Sequence, residues 1–222
     1  MSDRESEAGG VAVVGLGRFG GQLAGALIRL GHEVLAIDRN ADLVQRWSDQ
    51  LDRVVQADTT DEDALRQVGI GDFRRVVVAI GASVEASVLT VLAMVELGVA
   101  QVWARATSEK HAKILAAVGA HHVIFPEAET GERVAHLIVT RMLDFIEFGD
   151  DFAIAKVRVP EALAGKSLSQ VRPIDQYGVR ILGAKLPGEP FEYASDSTVL
   201  RPEGILVVEG ALNQLQHFAD LT

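Results

Sequence analysis

The first 125 residues alternate between short apolar runs and longer stretches in which apolar residues return every three or four positions. Val11-Ala12-Val13-Val14 is a continuous apolar run that stops at glycine, the pattern of a parallel strand covered on both faces. Leu23, Leu27, Ile28 and Leu30 then recur at helical spacing, and Gly31 closes that helix. The same alternation predicts further strands over 33–38, 53–56, 76–80, 101–105 and 122–125. Helices are predicted between them over 41–51, 61–68, 84–97 and 108–118. Strands and helices alternating through connections this short specify an α/β fold, a Rossmann-type doubly wound parallel sheet.

The pattern changes near residue 126. Val134, Leu137, Ile138, Met142 and Phe145 predict one long helix over 127–148 that stops at Gly149-Asp150-Asp151. Beyond it, short strands are expected over 153–159, 178–186 and 204–208, with a terminal helix over 212–218. The expected organisation is a nucleotide-binding domain over 11–126, a linking helix over 127–149 and a small α+β domain over 150–222. A unit of roughly 70 residues is marginal alone and is expected to self-associate.

Composition narrows the function. A formal net charge of -10 argues against a nucleic-acid groove or an anionic membrane surface, both of which need clustered Lys and Arg. The absence of Cys excludes disulfides, thiolate zinc sites and a Cys nucleophile, and fits a reducing compartment. Residues Met1 to Glu7 are polar and acidic, unlike a signal peptide, and Gly81, Glu85, Glu96 and Gly98 interrupt the most apolar region. A cytoplasmic protein is expected.

The chemistry gathers where the first strand ends. Gly15-Leu16-Gly17-Arg18-Phe19-Gly20 follows a strand and opens a helix. In such a run Gly15 permits the tight turn, Gly17 lets the backbone approach a phosphate, and Gly20 lets the helix pack closely on the sheet. Phosphates then sit on the free amides of the helix N-terminus. Asp38, 23 positions after Gly15 at the end of the second strand, is placed to accept hydrogen bonds from ribose hydroxyls and to repel a 2′-phosphate. Arg18 suits a terminal phosphate, which favours ATP or ADP over a dinucleotide; it is otherwise a solvated surface residue.

Two more loops lie at the same edge of the sheet. Asp58 is placed to accept from an adenine amino group and the Thr59 amide to serve a ring nitrogen; alternatively Thr60 and Asp63 form a helix capping box. Gly81-Ala82-Ser83 would face ribose or phosphates, or simply start a helix with Ser83 as its cap. Glu127, after Pro126, either holds a cation beside phosphates or is an acid favoured at a helix N-terminus. His121 and His122 point to opposite faces of a strand, so one metal could hardly take both.

The run GLGRFGGQLAGALIRLGHEVLAID (Gly15 to Asp38), with VVVAIGASVEAS, HVIFPEAETG and the small C-terminal unit, resembles the KtrA/TrkA family of RCK proteins, which regulate potassium conductance. GLGRFGG with its Arg is closest to the KtrA branch. The resemblance implies an RCK Rossmann domain, a linking helix and an RCK C-terminal domain. It implies homodimers in an octameric ring docked on a membrane potassium channel subunit of the KtrB or TrkH type, at the inner face of the plasma membrane. It also implies that ATP or ADP binding sets channel opening. By matching position, Gly15, Gly17, Arg18, Phe19 and Gly20 would hold phosphates, Asp38 the ribose, and Asp58 and Thr59 the adenine, with Gly81 and Ala82 lining the site. Glu127 matches an acid that binds a cation (Mg²⁺, Ca²⁺ or Na⁺) bridging two nucleotide sites. Some relatives bind cyclic di-AMP in the region matching 172–183.

Two other readings belong to different classes. The first is an NAD(H)-binding Rossmann protein, either a TrkA-like NADH sensor or a dehydrogenase. Against the dehydrogenase, the slight second domain offers no convincing His, Lys or Tyr acid/base, so no enzyme is expected. An NAD-sensing transcription factor is disfavoured by the acidic charge and the lack of a basic helix-turn-helix.

Overall fold

A computed structural model describes residues 10–221; the acidic opening stretch lies outside the described residues. The chain divides into two units, with the break between Ala128 and Glu129.

In the first unit the strands are β1 (Val11–Val14), β2 (Val34–Asp38), β3 (Arg53–Gln56), β4 (Arg75–Val78), β5 (Gln101–Arg105) and β6 (His122–Ile124). Helices α1 (Arg18–Arg29), α2 (Ala41–Ser48), α3 (Glu62–Gln67), α4 (Val84–Glu96) and α5 (Glu109–Ala117) connect them. All neighbouring strands run parallel, in the order β3-β2-β1-β4-β5-β6. The apolar run of β1 explains its central place. Ala12 and Val14 enter one core with Leu35, Ile37, Val76 and Val78, while Val11 and Val13 enter another with Val34, Ala36 and Ala24. Both faces are buried, so no polar alternation survives. The order reverses between β1 and β4, and ligands bind open α/β sheets outside the strand C-termini at such a switch point.

The second unit is antiparallel. Helix α6 (Pro126–Val139) begins in the first unit, and β7 (Met142–Glu147), β8 (Phe152–Arg158), β9 (Arg180–Lys185), β10 (Glu192–Tyr193) and β11 (Ile205–Ala211) form a sheet in the order β10-β9-β11-β8-β7. Short helices α7 (Leu168–Val171) and α8 (Pro173–Tyr177) lie between β8 and β9, and α9 (Leu212–Ala219) follows β11. Burial alternates along β8 and β11, and Leu206, Val208, Leu215 and Phe218 are fully buried in this unit's core.

One expected element is corrected here. The long helix over 127–148 ends at Val139, and Met142–Glu147 is a strand paired with β8. The Thr140 hydroxyl donates to the His136 carbonyl at 2.9 Å and closes the last helical turn. Gly149, Asp150 and Asp151 all adopt positive φ, so the turn expected there joins two strands. Phe145 and Ile146 sit opposite Ala155 and Ile154; pairing with a later strand overrides a periodicity that fits a helix equally well.

Candidate functional site

The ends of β1, β2, β3, β4 and β5 meet at the C-terminal edge of the parallel sheet around a cavity of about 280 Å³. Gly15 has φ of +92°, and a Cβ there would stand 3.1 Å from the Ala79 carbonyl carbon, so β1 can turn sharply against the end of β4. The Gly15 amide donates to the Ile37 carbonyl at 2.7 Å, and the Ala79 amide to the Val14 carbonyl at 2.7 Å. Gly17 caps α1, and a Cβ there would meet nothing within 4 Å, so its approach from the cavity is open. Among the described residues no side chain caps α1, which leaves its first amides for an anion. A Cβ on Gly20 would collide with the Gly15 carbonyl oxygen, so its absence is what lets α1 close on the turn.

Asp38 does more than face the cavity. One carboxylate oxygen accepts the Leu16 amide at 2.6 Å and the other the Asn40 amide at 2.8 Å. The carboxylate therefore clamps the glycine turn to the end of β2, and its remaining lone pairs serve the cavity it lines. Trp47 supports the same turn by donating from its indole nitrogen to the Leu16 carbonyl at 3.1 Å. Its ring fills the space that a Cβ on Gly21 would need.

The cavity is lined by Gly15, Gly17, Asp38, Asp58, Thr59, Gly81 and Ala82, seven of the residues singled out from sequence. Arg18 is exposed at the start of α1, Phe19 is half-buried in the same turn, Gly20 is buried beneath it, and Glu127 lies in the first turn of α6; none of these four lines the cavity. Asp58 accepts from the Thr60 hydroxyl at 2.7 Å and the Thr60 amide at 3.0 Å. Those two bonds hold its carboxyl below the usual carboxylate range. The expected Thr60–Asp63 capping box does not form: Asp61 caps α3 by accepting from the Asp63 and Ala64 amides. The Thr59 side chain is buried and shares a 3.0 Å hydrogen bond with Thr90. Ser83 caps α4, accepting the Ala86 amide at 3.1 Å, and also lines the cavity.

Sequence reasoning missed Arg105, the last residue of β5. It lines the cavity and forms an ion pair with Glu127, Nη2 to Oε1, with a second bond from Nε to Oε2 at 3.3 Å. This pairing holds the Glu127 carboxyl below its usual range, and the charge of Arg18 adds to the effect. The signal for Arg105 was a basic residue at a strand's C-terminal end, on the edge where ligands bind. A carboxylate already engaged by a guanidinium is not by itself a cation site. No group of three or more His, Asp or Glu suited to a metal occurs among the described residues. His121 accepts the Val102 amide, and His122 stacks on Trp103 with centroids 3.9 Å apart. No helix among the described residues is long and apolar enough to cross a membrane.

Comparison with known proteins places the chain in a family and gives it the same fold as solved relatives. The profile of the TrkA-N domain family matches residues 11–126. The chain is 35% identical over 208 residues to the Ktr system potassium uptake proteins C and A of Bacillus subtilis (strain 168), covering 93% of this chain and 94% of each relative. Among solved structures it resembles the GsuK RCK domain, with a TM-score of 0.66 at 20% identity over 96% of this chain and 48% of that one. The GsuK channel bound to NAD matches with a TM-score of 0.64 at 21% identity, over 95% of this chain and 38% of that one. GsuK bound to ADP matches with a TM-score of 0.52 at 27% identity, over 60% of this chain and 35% of that one. The chain thus spans less than half the length of these GsuK chains.

Proposed function

We infer that this chain, which belongs to the family of Ktr system potassium uptake proteins and carries a TrkA-N domain, is a nucleotide-sensing regulatory subunit of a membrane potassium channel. The observation that carries the reading is the cavity at the switch point of the parallel sheet, with the open Gly17 turn on one side and the Asp38 carboxylate on another. Phosphates rest on the amides of α1, the ribose on Asp38, and the adenine near Asp58 and Thr59. The relatives' family role is transport rather than catalysis, and no catalytic step is assigned to this chain.

ATP and ADP are the ligands this reading favours. Supporting them over NAD(H) are two guanidinium groups, Arg18 and Arg105, both close enough to Glu127 to stabilise its negative charge. Titration calorimetry of the purified protein with ATP, ADP, NAD⁺ and NADH tests this. Tighter binding of the first two is expected, and a clear preference for NADH would replace the reading with an NADH sensor. That second reading is supported by one observation: the GsuK channel bound to NAD shares this fold.

Further parts of the proposal concern assembly. A subunit that gates a channel from the cytoplasmic side needs a membrane partner of the KtrB type, and homodimers closing into an octameric ring would present eight nucleotide sites to it. Sedimentation of the protein with and without ADP measures that stoichiometry. A Mg²⁺, Ca²⁺ or Na⁺ ion at Glu127 would have to draw its other ligands from phosphate oxygens and take the carboxylate from Arg105. In the second unit, Arg172, Asp175 and Arg180 border a shallow cavity of about 480 Å³, the place this reading gives to cyclic di-AMP. Titration of that dinucleotide against Arg172→Ala tests it.

A further inference from the structure

Arg105 presents two different edges to its surroundings. Its Nε and Nη2 face the Glu127 carboxylate. Its Nη1 and Cζ lie against Gly81, so close that a Cβ on that glycine would collide with Nη1 and stand 2.8 Å from Cζ. Gly81 and Arg105 both line the cavity that holds Gly17 and Asp38. The side chain of Arg105 is 19% exposed, whereas that of Glu127 is 62% exposed. The cation is thus the sheltered member of the pair and the carboxylate the solvated one. A carboxylate that grips one edge of a planar guanidinium fixes the direction of the other edge.

We propose that Arg105 is a phosphate-binding residue of the cavity, aimed across Gly81 by Glu127, and that Glu127 acts as its positioning residue. The inference rests on the nucleotide reading above and adds the residue that reads the phosphates. A guanidinium has five N–H donors, and the two used on Glu127 leave three, including both on Nη1, for an anionic oxygen. Gly81 belongs to the same device, because any side chain there would push the guanidinium off its course. The opposite arrangement is a Glu127 that merely neutralises Arg105 until a ligand arrives. Coulomb's law separates the two by sign: removing a competing negative charge strengthens phosphate binding, whereas removing an aiming group weakens it.

The test is calorimetric titration of the full chain with ADP in EDTA, so that no divalent cation contributes. The set comprises the parent, Arg105→Gln, Arg105→Lys, Gly81→Ala and Glu127→Ala, each checked by thermal unfolding. Arg105→Gln should lose about ten- to hundredfold in ADP affinity, the span of a charge-assisted hydrogen bond. Its affinity should also depend less on salt than the parent's, which a purely structural lesion would not produce. Arg105→Lys keeps the charge without the fork, should lose less, and stands in if the Gln variant does not fold. Gly81→Ala should lose affinity although every charge remains. Glu127→Ala should bind ADP more weakly than the parent. Equal ADP affinity and salt dependence in the parent and Arg105→Gln would overturn the assignment of Arg105. Tighter ADP binding by Glu127→Ala would overturn the positioning role. Absence of ADP binding by the parent itself would instead sink the nucleotide reading on which both rest.

Discussion

The two units of this chain solve the burial of a sheet in opposite ways, and only one solution gathers loops. In the first, every strand runs the same way, so the turns after β1, β2, β3, β4 and β5 all open at one edge. Asp38, Asp58, Gly81 and Arg105 come from four different strand ends, yet they line a single cavity. In the second, neighbouring strands run in opposite directions, and their connections leave from alternate edges. Parallel pairing brings distant sequence positions to one rim, whereas antiparallel pairing builds a core without a common rim.

The comparison breaks most sharply at the level of stability. Leu206, fully buried in the second unit, should cost about 2–5 kcal/mol when replaced by Ala, through lost burial and the cavity left behind. Denaturant unfolding measures the loss, and ADP affinity should stay at the parent value. A matching fall in ADP affinity would show that the antiparallel unit supports the site. Asp38→Ala attacks the other side. It removes the acceptor for the Leu16 and Asn40 amides as well as the ribose contact, so stability should drop by about 1–3 kcal/mol. Affinity for ATP, ADP and NADH should fall together in the same variant. Selective loss of one ligand would mean that the ribose is held elsewhere.

Arg18→Ala should weaken ATP by about 1.5–3 kcal/mol while ADP changes less, because a terminal phosphate is the partner proposed for that exposed charge. Titration with both nucleotides reads the difference, and equal losses would move Arg18 away from the terminal phosphate. The smallest expected effect is a pH dependence confined to the parallel unit. His111 is 2% exposed, and burial pushes its pKa below the ordinary value of 6.5. Its Nδ1 lies 3.3 Å from the Thr107 amide that donates to it, and its buried Nε2 has no hydrogen-bond partner among the described residues. The unfolded chain therefore takes up a proton more readily than the folded one, so stability holds above pH 6.5 and declines as pH falls below it. Thermal unfolding between pH 5 and 7.5 should show that decline, and His111→Leu should flatten it. An unchanged slope in the variant would assign the decline to other groups.

Much of the parallel unit was legible because each signal there is local. The apolar run of β1, the glycines after it and Asp38 at the end of β2 each announce their role within a few residues. The long helix over 127–148 failed where the signal was ambiguous. Met142 and Phe145 fit a helical stripe as well as they fit a strand, and the deciding partner, β8, lies further along the chain. The Thr60–Asp63 cap failed for a smaller reason of the same kind: Asp61, one position on, was the better-placed acceptor.

What the sequence determined by itself was the alternation of buried strands and amphipathic helices, the glycine turn, and the acid that faces it. Hydrophobic periodicity and backbone stereochemistry act within a turn or a strand, so they can be read in order along the chain. What the tertiary structure decided was the company those residues keep. Asp38 is a clamp on the Leu16 amide because β1 and β2 lie side by side. Arg105 shares a cavity with Gly17 because β5 stands two places from β1 in the sheet. Its grip on Glu127 needs β5 beside β6, whose end leads into α6. Contacts between residues 22 positions apart depend on strand order, and no local pattern in the chain encodes that order.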